Sequence, residues 1–233
     1  KEQHLTVNRP GDVTLCQPDN DRGCSVCCGL FNFMDCTREN LSAFLQGGSS
    51  RAGDYAVYED FRLDAAVRDP FTHICPYQGF ISAGKPGCHI HPLSSGSEGR
   101  ERSLFSSKIC SGFLCPAHKI LTPGEKETLV EHVKDWYLYS VAICDPESFS
   151  FLQSHITDTY RIKPHDPETG ILLNTGLAAH AGLLAQSSGV IFYYSQPEYN
   201  LHKGEFCVRY NMKNREPVVE GIRKRADHLI SPR

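Results

Sequence analysis

Cys24-Ser25-Val26-Cys27-Cys28-Gly29 is the stretch on which the reading of this chain turns. A C-x-x-C step curls two thiols toward one point, and neighbouring backbone N–H groups can then bond to sulfur. Cys28 follows at once. Adjacent side chains diverge on extended backbone, so this third cysteine needs a sharp turn, a second metal or a supporting role, and Gly29 permits the turn. Cys36 comes after seven intervening residues. Cys75 precedes Pro76, twelve residues separate it from Cys88 in the turn-like Lys85-Pro86-Gly87-Cys88, and Cys110 and Cys115 enclose Ser111-Gly112-Phe113-Leu114 before Pro116. Proline after a ligand limits the chain and removes an amide that would otherwise need a partner, which suits thiols held on irregular backbone.

The distribution of the thiols decides between metal and disulfides. Of 11 cysteines, only Cys144 and Cys207 lie beyond Cys115. Disulfide frameworks spread over small secreted domains and use an even number of thiols, whereas this chain has 233 residues and an odd count. Reduced thiols kept for metal are the simpler reading, with Cys24, Cys27, Cys28, Cys36, Cys75, Cys88, Cys110 and Cys115 as candidate ligands. Thiolate is the ligating form, and a bound cation makes it stable at neutral pH. Four thiolates suit tetrahedral zinc and also a [4Fe–4S] cluster, with zinc placed slightly ahead. Cys16, Cys144 and Cys207 read as packed or surface thiols. His89 and His91 flank Ile90 and can face the same way, so either could complete a site with Cys88, and His118 stands near Cys115 in the same way; solvated loop histidines are the simpler reading of all three, and His180 reads as a core histidine.

The succession Cys24-x-x-Cys27-Cys28, Cys75-Pro76, Cys88-x-Ile90-His91-Pro92 and a later cysteine near an arginine resembles the YkgJ-type zinc- or iron-chelating domain family. That family joins C-x-x-C-C, a C-P step, a C-x-I-aromatic step before proline, and a later C-R. The likeness spans roughly residues 16 to 118. It departs at His91, which stands where the family has an aromatic residue, and at Pro92, which lacks the preceding arginine. Cys110 precedes Ser111 instead of arginine, so Cys110 and Cys115 both remain candidates for the late position. The resemblance implies a metal-chelating module and, through some relatives, an attachment to protein-modifying chemistry.

Composition narrows the remaining classes. With 40% hydrophobic and 22% charged residues the chain has material for a core, and a net charge of -3 gives no positive field to attract nucleic acid or anionic lipid. No apolar run approaches the roughly 18 residues of a membrane helix, and Lys1 to Pro10 lack the apolar core of a secretory signal, so a cytoplasmic location is expected. There is no G-x-S-x-G elbow, phosphate loop, dinucleotide fingerprint or H-E-x-x-H, and nothing indicates a protein partner. The main expectation is a binding protein for a metal ion or cluster. The alternatives are an iron–sulfur-dependent redox or protein-modifying enzyme, and a secreted disulfide-stabilised binding module.

The pattern predicts an α+β fold, with a loop-rich, metal-organised region over 1–120 and an α+β region over 121–233 packed against it. Leu5-Thr6-Val7 and Val13-Thr14-Leu15 read as extended. A helix capped by Thr37, with Leu41, Phe44 and Leu45 on one face, should stop at Gly47-Gly48. Tyr55, Tyr58 and Phe61 fit a helix loosely, and Pro92 to Arg102 reads as a surface loop. Thr122-Pro123-Gly124-Glu125 is a helix start, continued at helical spacing by Leu129, Val133, Trp136, Tyr137 and Ser140. Asp145-Pro146-Glu147 repeats it and completes a helical pair. Lys163 to Gly170 reads as a break, Ile171 to Gln186 as a buried helix, Val190 to Tyr194 and Phe206 to Tyr210 as strands, and Arg215 to His228 as a surface helix.

Overall fold

The computed structural model describes residues 13–48, 74–103, 107, 110–111, 114–185, 192–193, 207–208 and 216–230. The expectations for Leu5-Thr6-Val7 and for the Tyr55 to Ala66 helix fall outside them. The fold is α+β, rich in helix with short antiparallel strand pairs.

Helix α1, Arg38–Gln46, begins where the Thr37 side chain accepts the Asn40 amide and ends at Gly47, as its sequence predicts. Leu41 and Leu45 are its buried stripe. Strands β1, Gln78–Ser82, and β2, Lys85–Cys88, form an antiparallel hairpin with Gln78 opposite Cys88 and Phe80 opposite Pro86. This hairpin corrects the turn expected at Lys85 to Cys88. The sequence hid it because Pro86 and Gly87 are poor strand formers and the register is broken between Phe80 and Ser82, which erases the two-residue alternation. The expected loop from Pro92 to Arg102 carries the short helix α2, Pro92–Ser95, and a 3-10 turn at Arg100–Arg102.

After α3, Ala117–Ile120, the single helix expected from Thr122 is divided in two. Helix α4, Pro123–His132, has the reciprocal Thr122–Glu125 capping box. Val133 then turns extended, with φ -102° and ψ 94°, and the Asp135 carboxylate accepts the Tyr137 and Leu138 amides to start α5, Trp136–Cys144. The apolar spacing ran through the break because Val133 and Trp136 both pack on the same core. Helix α6, Pro146–Tyr160, follows with no loop, since Asp145 ends one helix and caps the next. Helix α7, Pro167–Ala185, starts inside the expected break, because proline suits a first helical turn.

Strands β3, Phe192–Tyr193, and β4, Cys207–Val208, pair antiparallel where two strands were expected. Helix α8, Glu216–Ile230, is more than a surface helix. Its Ile222 and Ala226 are fully buried, and it lies along α7.

One apolar core joins Leu15, Val26, Leu30 and Phe31 of the first region to Tyr137, Phe149, Leu152 and Leu177 of the second. Polar ties cross at the same place. The Tyr139 hydroxyl donates to the Leu15 carbonyl at 2.9 Å, the Tyr137 hydroxyl to the Cys36 carbonyl at 2.8 Å, and Arg38 makes two 2.7 Å bonds to Asp135. The cysteine-bearing loops therefore rest on the helical half.

Candidate metal centre

The 3-10 turn Val26–Cys28 carries Cys27 and Cys28, and a second 3-10 turn, Leu30–Asn32, follows it. Gly29 joins them at φ +87°, in the left-handed region that costs a residue with a side chain but not glycine. The chain reverses there, so Cys27 and Cys28 need not lie on a straight strand. The β hairpin closes on the same loop. A Cβ on Gly23 would lie 2.0 Å from the Pro86 carbonyl oxygen, and the Lys85 ammonium donates to the Asp19 carbonyl at 2.7 Å.

Backbone bonds bring distant cysteines together. The Cys24 amide donates to the Cys16 carbonyl at 3.0 Å, and the Cys75 amide donates to the Cys28 carbonyl at 2.8 Å. The Gln78 side-chain amide, fully buried, donates to the carbonyls of both Cys28 and Cys75. Cys88 sits opposite Gln78 across the hairpin. His118 Nε2 lies 3.8 Å from Cys16 Sγ, and the Ser103 hydroxyl lies 3.4 Å from Cys110 Sγ.

Amides also approach the sulfurs. The Val26 N–H reaches Cys24 Sγ at 3.4 Å, the Ile90 N–H bonds to the Cys88 sulfur, and the Ala117 and His118 N–H groups bond to that of Cys115. In three cases the donor is the residue two places after the cysteine. Such bonds favour sulfur as thiolate, the form a metal needs.

Protonation shows how crowded the sulfurs are. Side-chain hydrogen bonding from Cys28 holds the Cys27 thiol below its ordinary value, against the upward push of burial. Cys28 is held well above its own by its bonds to Cys27 and Cys75 and then by burial. Burial, then the charges of Cys27, Cys115 and Cys16, raises Cys24. Burial, followed by Cys27 and Cys115, raises Cys16. Burial and the charge of Cys75 push Cys88 up to about 12, and burial and Cys27 push Cys115 up to about 12. Cys110 keeps an exposed face, yet burial on its other side raises its thiol to about 11, with the Ser103 hydroxyl opposing and Cys75 and Cys27 adding to the rise. Thiols so close cannot all ionise without a neutralising cation.

Of the sequence candidates, Cys24, Cys27, Cys28, Cys75, Cys88, Cys110 and Cys115 are thus brought into one neighbourhood. Cys36 sits elsewhere: it is fully buried, and its thiol donates to the Phe31 and Phe33 carbonyls at 3.3 Å. Cys16 is the residue that sequence reasoning missed. Its spacing gave no signal, since the seven-residue gap before Cys24 is the same gap that separates Cys28 from Cys36. Cys144 is buried in the helical core and His180 lies 3.2 Å from Asp145, a packed histidine as expected. His91 is used in capping α2, where its Nδ1 accepts the Leu93 amide.

The ten cysteines whose side chains are described, Cys207 being outside them, are unbridged. Among the described residues, no three or more His, Cys, Asp or Glu side chains already close on one point at ion-binding geometry. The sulfurs form a neighbourhood, not a finished coordination sphere. The donor chemistry nevertheless fits zinc or an iron–sulfur cluster, because the set is thiol-rich, drawn from separate loops and supplied with N–H donors to sulfur. Among the described residues, no helix is long and apolar enough to cross a membrane. No family model, no curated protein and no solved structure matches this chain.

Proposed function

We propose that this protein binds metal through clustered cysteine thiolates, with zinc as the first choice of occupant and a [4Fe–4S] cluster as the second. The observation that carries the reading is the gathering of Cys16, Cys24, Cys27, Cys28, Cys75, Cys88, Cys110 and Cys115 from three separated stretches of chain. Burial and neighbouring sulfurs hold the Cys16, Cys24, Cys28, Cys88, Cys110 and Cys115 thiols above their ordinary value, and backbone amides are already aimed at several sulfurs. Zinc held by four thiolates acts mainly as a structural clamp. The order of cysteines, similar to that of the chelating family, agrees with this.

A redox or protein-modifying role for an iron–sulfur cluster is the second reading, and Cys110 favours it. It is the exposed residue of the set, so an electron donor can approach the centre on its side. Unbridged thiols in this number suit a reducing compartment, and the cytoplasm is the location proposed on that ground. Protein purified without oxygen and analysed for zinc, iron and sulfide, with its visible spectrum, tests the proposal. A colourless zinc protein supports the first reading and a brown iron and sulfide protein the second. Metal-free protein in which a chelator changes the reactivity of no thiol overturns both.

A further inference from the structure

We infer that a groove over the first half of α7 binds an apolar zwitterion, a free amino acid or a short peptide, with the carboxylate held at Arg225 and the ammonium at Glu131 and Asn174. The inference uses no cysteine and no residue of the candidate metal centre, so it is independent of the metal-binding reading.

The groove encloses about 890 Å³, within the range of about 300–1,000 Å³ typical of small-molecule sites. Pro167, Ile171, Asn174 and Ala178 line it and follow one another at helical steps of four, three and four residues, so one face of α7 makes the floor. Three of the four are apolar, and Ile171 is a large aliphatic side chain left exposed. Helices α4 and α8, which both pack on α7, bring Glu131 and Arg225 to the same groove.

The polar groups are partly spent inside the protein, and the remainder defines the ligand. His132 Nε2 donates to the Pro164 carbonyl at 2.8 Å, and its ring lies so close to α7 that a Cβ on Gly170 would come within 2.9 Å of Nδ1. Asn174 Nδ2 donates to the carbonyls of His132 at 3.0 Å and Gly170 at 2.7 Å. That side chain is thereby fixed, and its amide oxygen accepts no hydrogen bond among the described residues. Glu131 Oε2 is taken by His165 Nδ1 at 2.6 Å, whereas Oε1 accepts nothing among the described residues. Arg225 is exposed and has neither ion pair nor hydrogen bond among them.

What is left over is one guanidinium and two acceptor oxygens, contributed by three helices. A guanidinium matches a carboxylate with two parallel N–H bonds, and the carboxylate and amide oxygens take the N–H donors of an ammonium. A ligand with only a negative charge would meet Glu131, and one with only a positive charge would meet Arg225. A zwitterion finds a partner for both ends, and an apolar side chain suits the floor of Pro167, Ile171 and Ala178.

Amide NMR of the full chain titrated with leucine, dileucine and trileucine tests the inference and separates the free amino acid from the peptide. At least one of the three should bind saturably and shift the amides of Ile171, Asn174 and Ala178. The C-terminally amidated and N-acetylated forms of the tightest binder, each lacking one charge, should bind about tenfold or more weakly, the loss expected for a hydrogen bond to a charged group. Arg225→Gln should abolish the preference over the amidated form alone, and Glu131→Gln the preference over the acetylated form alone. Failure of all three ligands to saturate, shifts confined to residues outside the groove, or variants that weaken every form equally overturn the inference. Both substituted residues are exposed, so folding should survive, and the comparison of charged with blocked ligands on the wild-type chain decides if it does not. Metal content has no bearing on these outcomes, so this inference and the metal-binding reading fail separately.

Discussion

The thiol-bearing loops and the helical half obtain their order by different means. From Pro123 to Ala185 the chain is almost continuous helix, started by side-chain caps at Thr122, Asp135 and Asp145 and packed through Leu129, Val141, Phe149, Leu152, Leu173 and Leu177. The described residues from Val13 to Asn32 hold only two 3-10 turns, and those from Ile74 to Ser103 a short hairpin, one turn of helix and a third 3-10 turn. Few backbone groups there are satisfied by regular ladders. Nevertheless Leu15, Val26, Leu30, Phe31 and Ile74 are buried as deeply as anything in the helices. Burial alone can hold the helical half, whereas the loops bury apolar side chains beside a nest of thiols that only a cation can stabilise in ionised form.

On the proposed metal-binding reading, removing the metal should separate the halves most sharply. Structural zinc sites contribute on the order of 10–16 kcal/mol of apparent binding free energy, comparable to the net stability of a domain. Treatment with a strong chelator is therefore expected to abolish hydrogen-exchange protection at Cys24, Leu30 and Gln78 while most far-ultraviolet helix signal survives. Uniform protection after complete removal would break the comparison.

A cavity in the helical half should act the other way. Leu152 is fully buried in α6, and Leu152→Ala is expected to cost about 2–5 kcal/mol in urea unfolding. Metal content should stay unchanged at temperatures where the variant is folded. Loss of metal in step with stability would mean that the halves are one cooperative unit.

The tie between the halves offers a smaller and pH-dependent test. Burial raises the Asp135 carboxyl, but the Arg38 bonds and the α5 amides outweigh it and leave the group below its ordinary value. A carboxyl lowered in the folded state contributes stability that is present above the unfolded value near pH 4 and is lost as pH falls through the lower folded value. Asparagine caps helices well, so Asp135→Asn isolates the Arg38 pair, which is partly exposed and worth up to about 1 kcal/mol. The difference in urea midpoint between wild type and variant should be constant near neutrality and shrink in acid. Comparing the two proteins at each pH cancels the titration of the thiols, and a gap that widened in acid would reverse the sign argued here.

What the sequence revealed depended on whether the signal was local. Thr37, Thr122 and Asp145 announced their helices because a cap acts within four residues. The break at Val133 went unread because helical spacing records which side faces the core, and that side is shared across the kink. The hairpin was hidden by Pro86 and Gly87. The thiols give the clearest lesson. Cys16 and Cys24 stand at the same separation as Cys28 and Cys36, but the first gap folds back through a backbone bond and joins two sulfurs, while the second delivers Cys36 to two carbonyls in the core. Equal spacing carried opposite outcomes, set by the turn enclosed and by contacts with α5 that no local pattern encodes.

Asp145 has a consequence for the architecture as a whole. It closes α5, opens α6, takes the Ser148 hydroxyl at 2.6 Å and meets His180 of α7 at 3.2 Å, all out of reach of solvent. Three rods are pinned at a single corner, so their mutual angles depend on the shape of one side chain and not on linker length. Lengthening the connection between α6 and α7 should leave that corner standing, whereas shortening Asp145 by one atom would let all three swing.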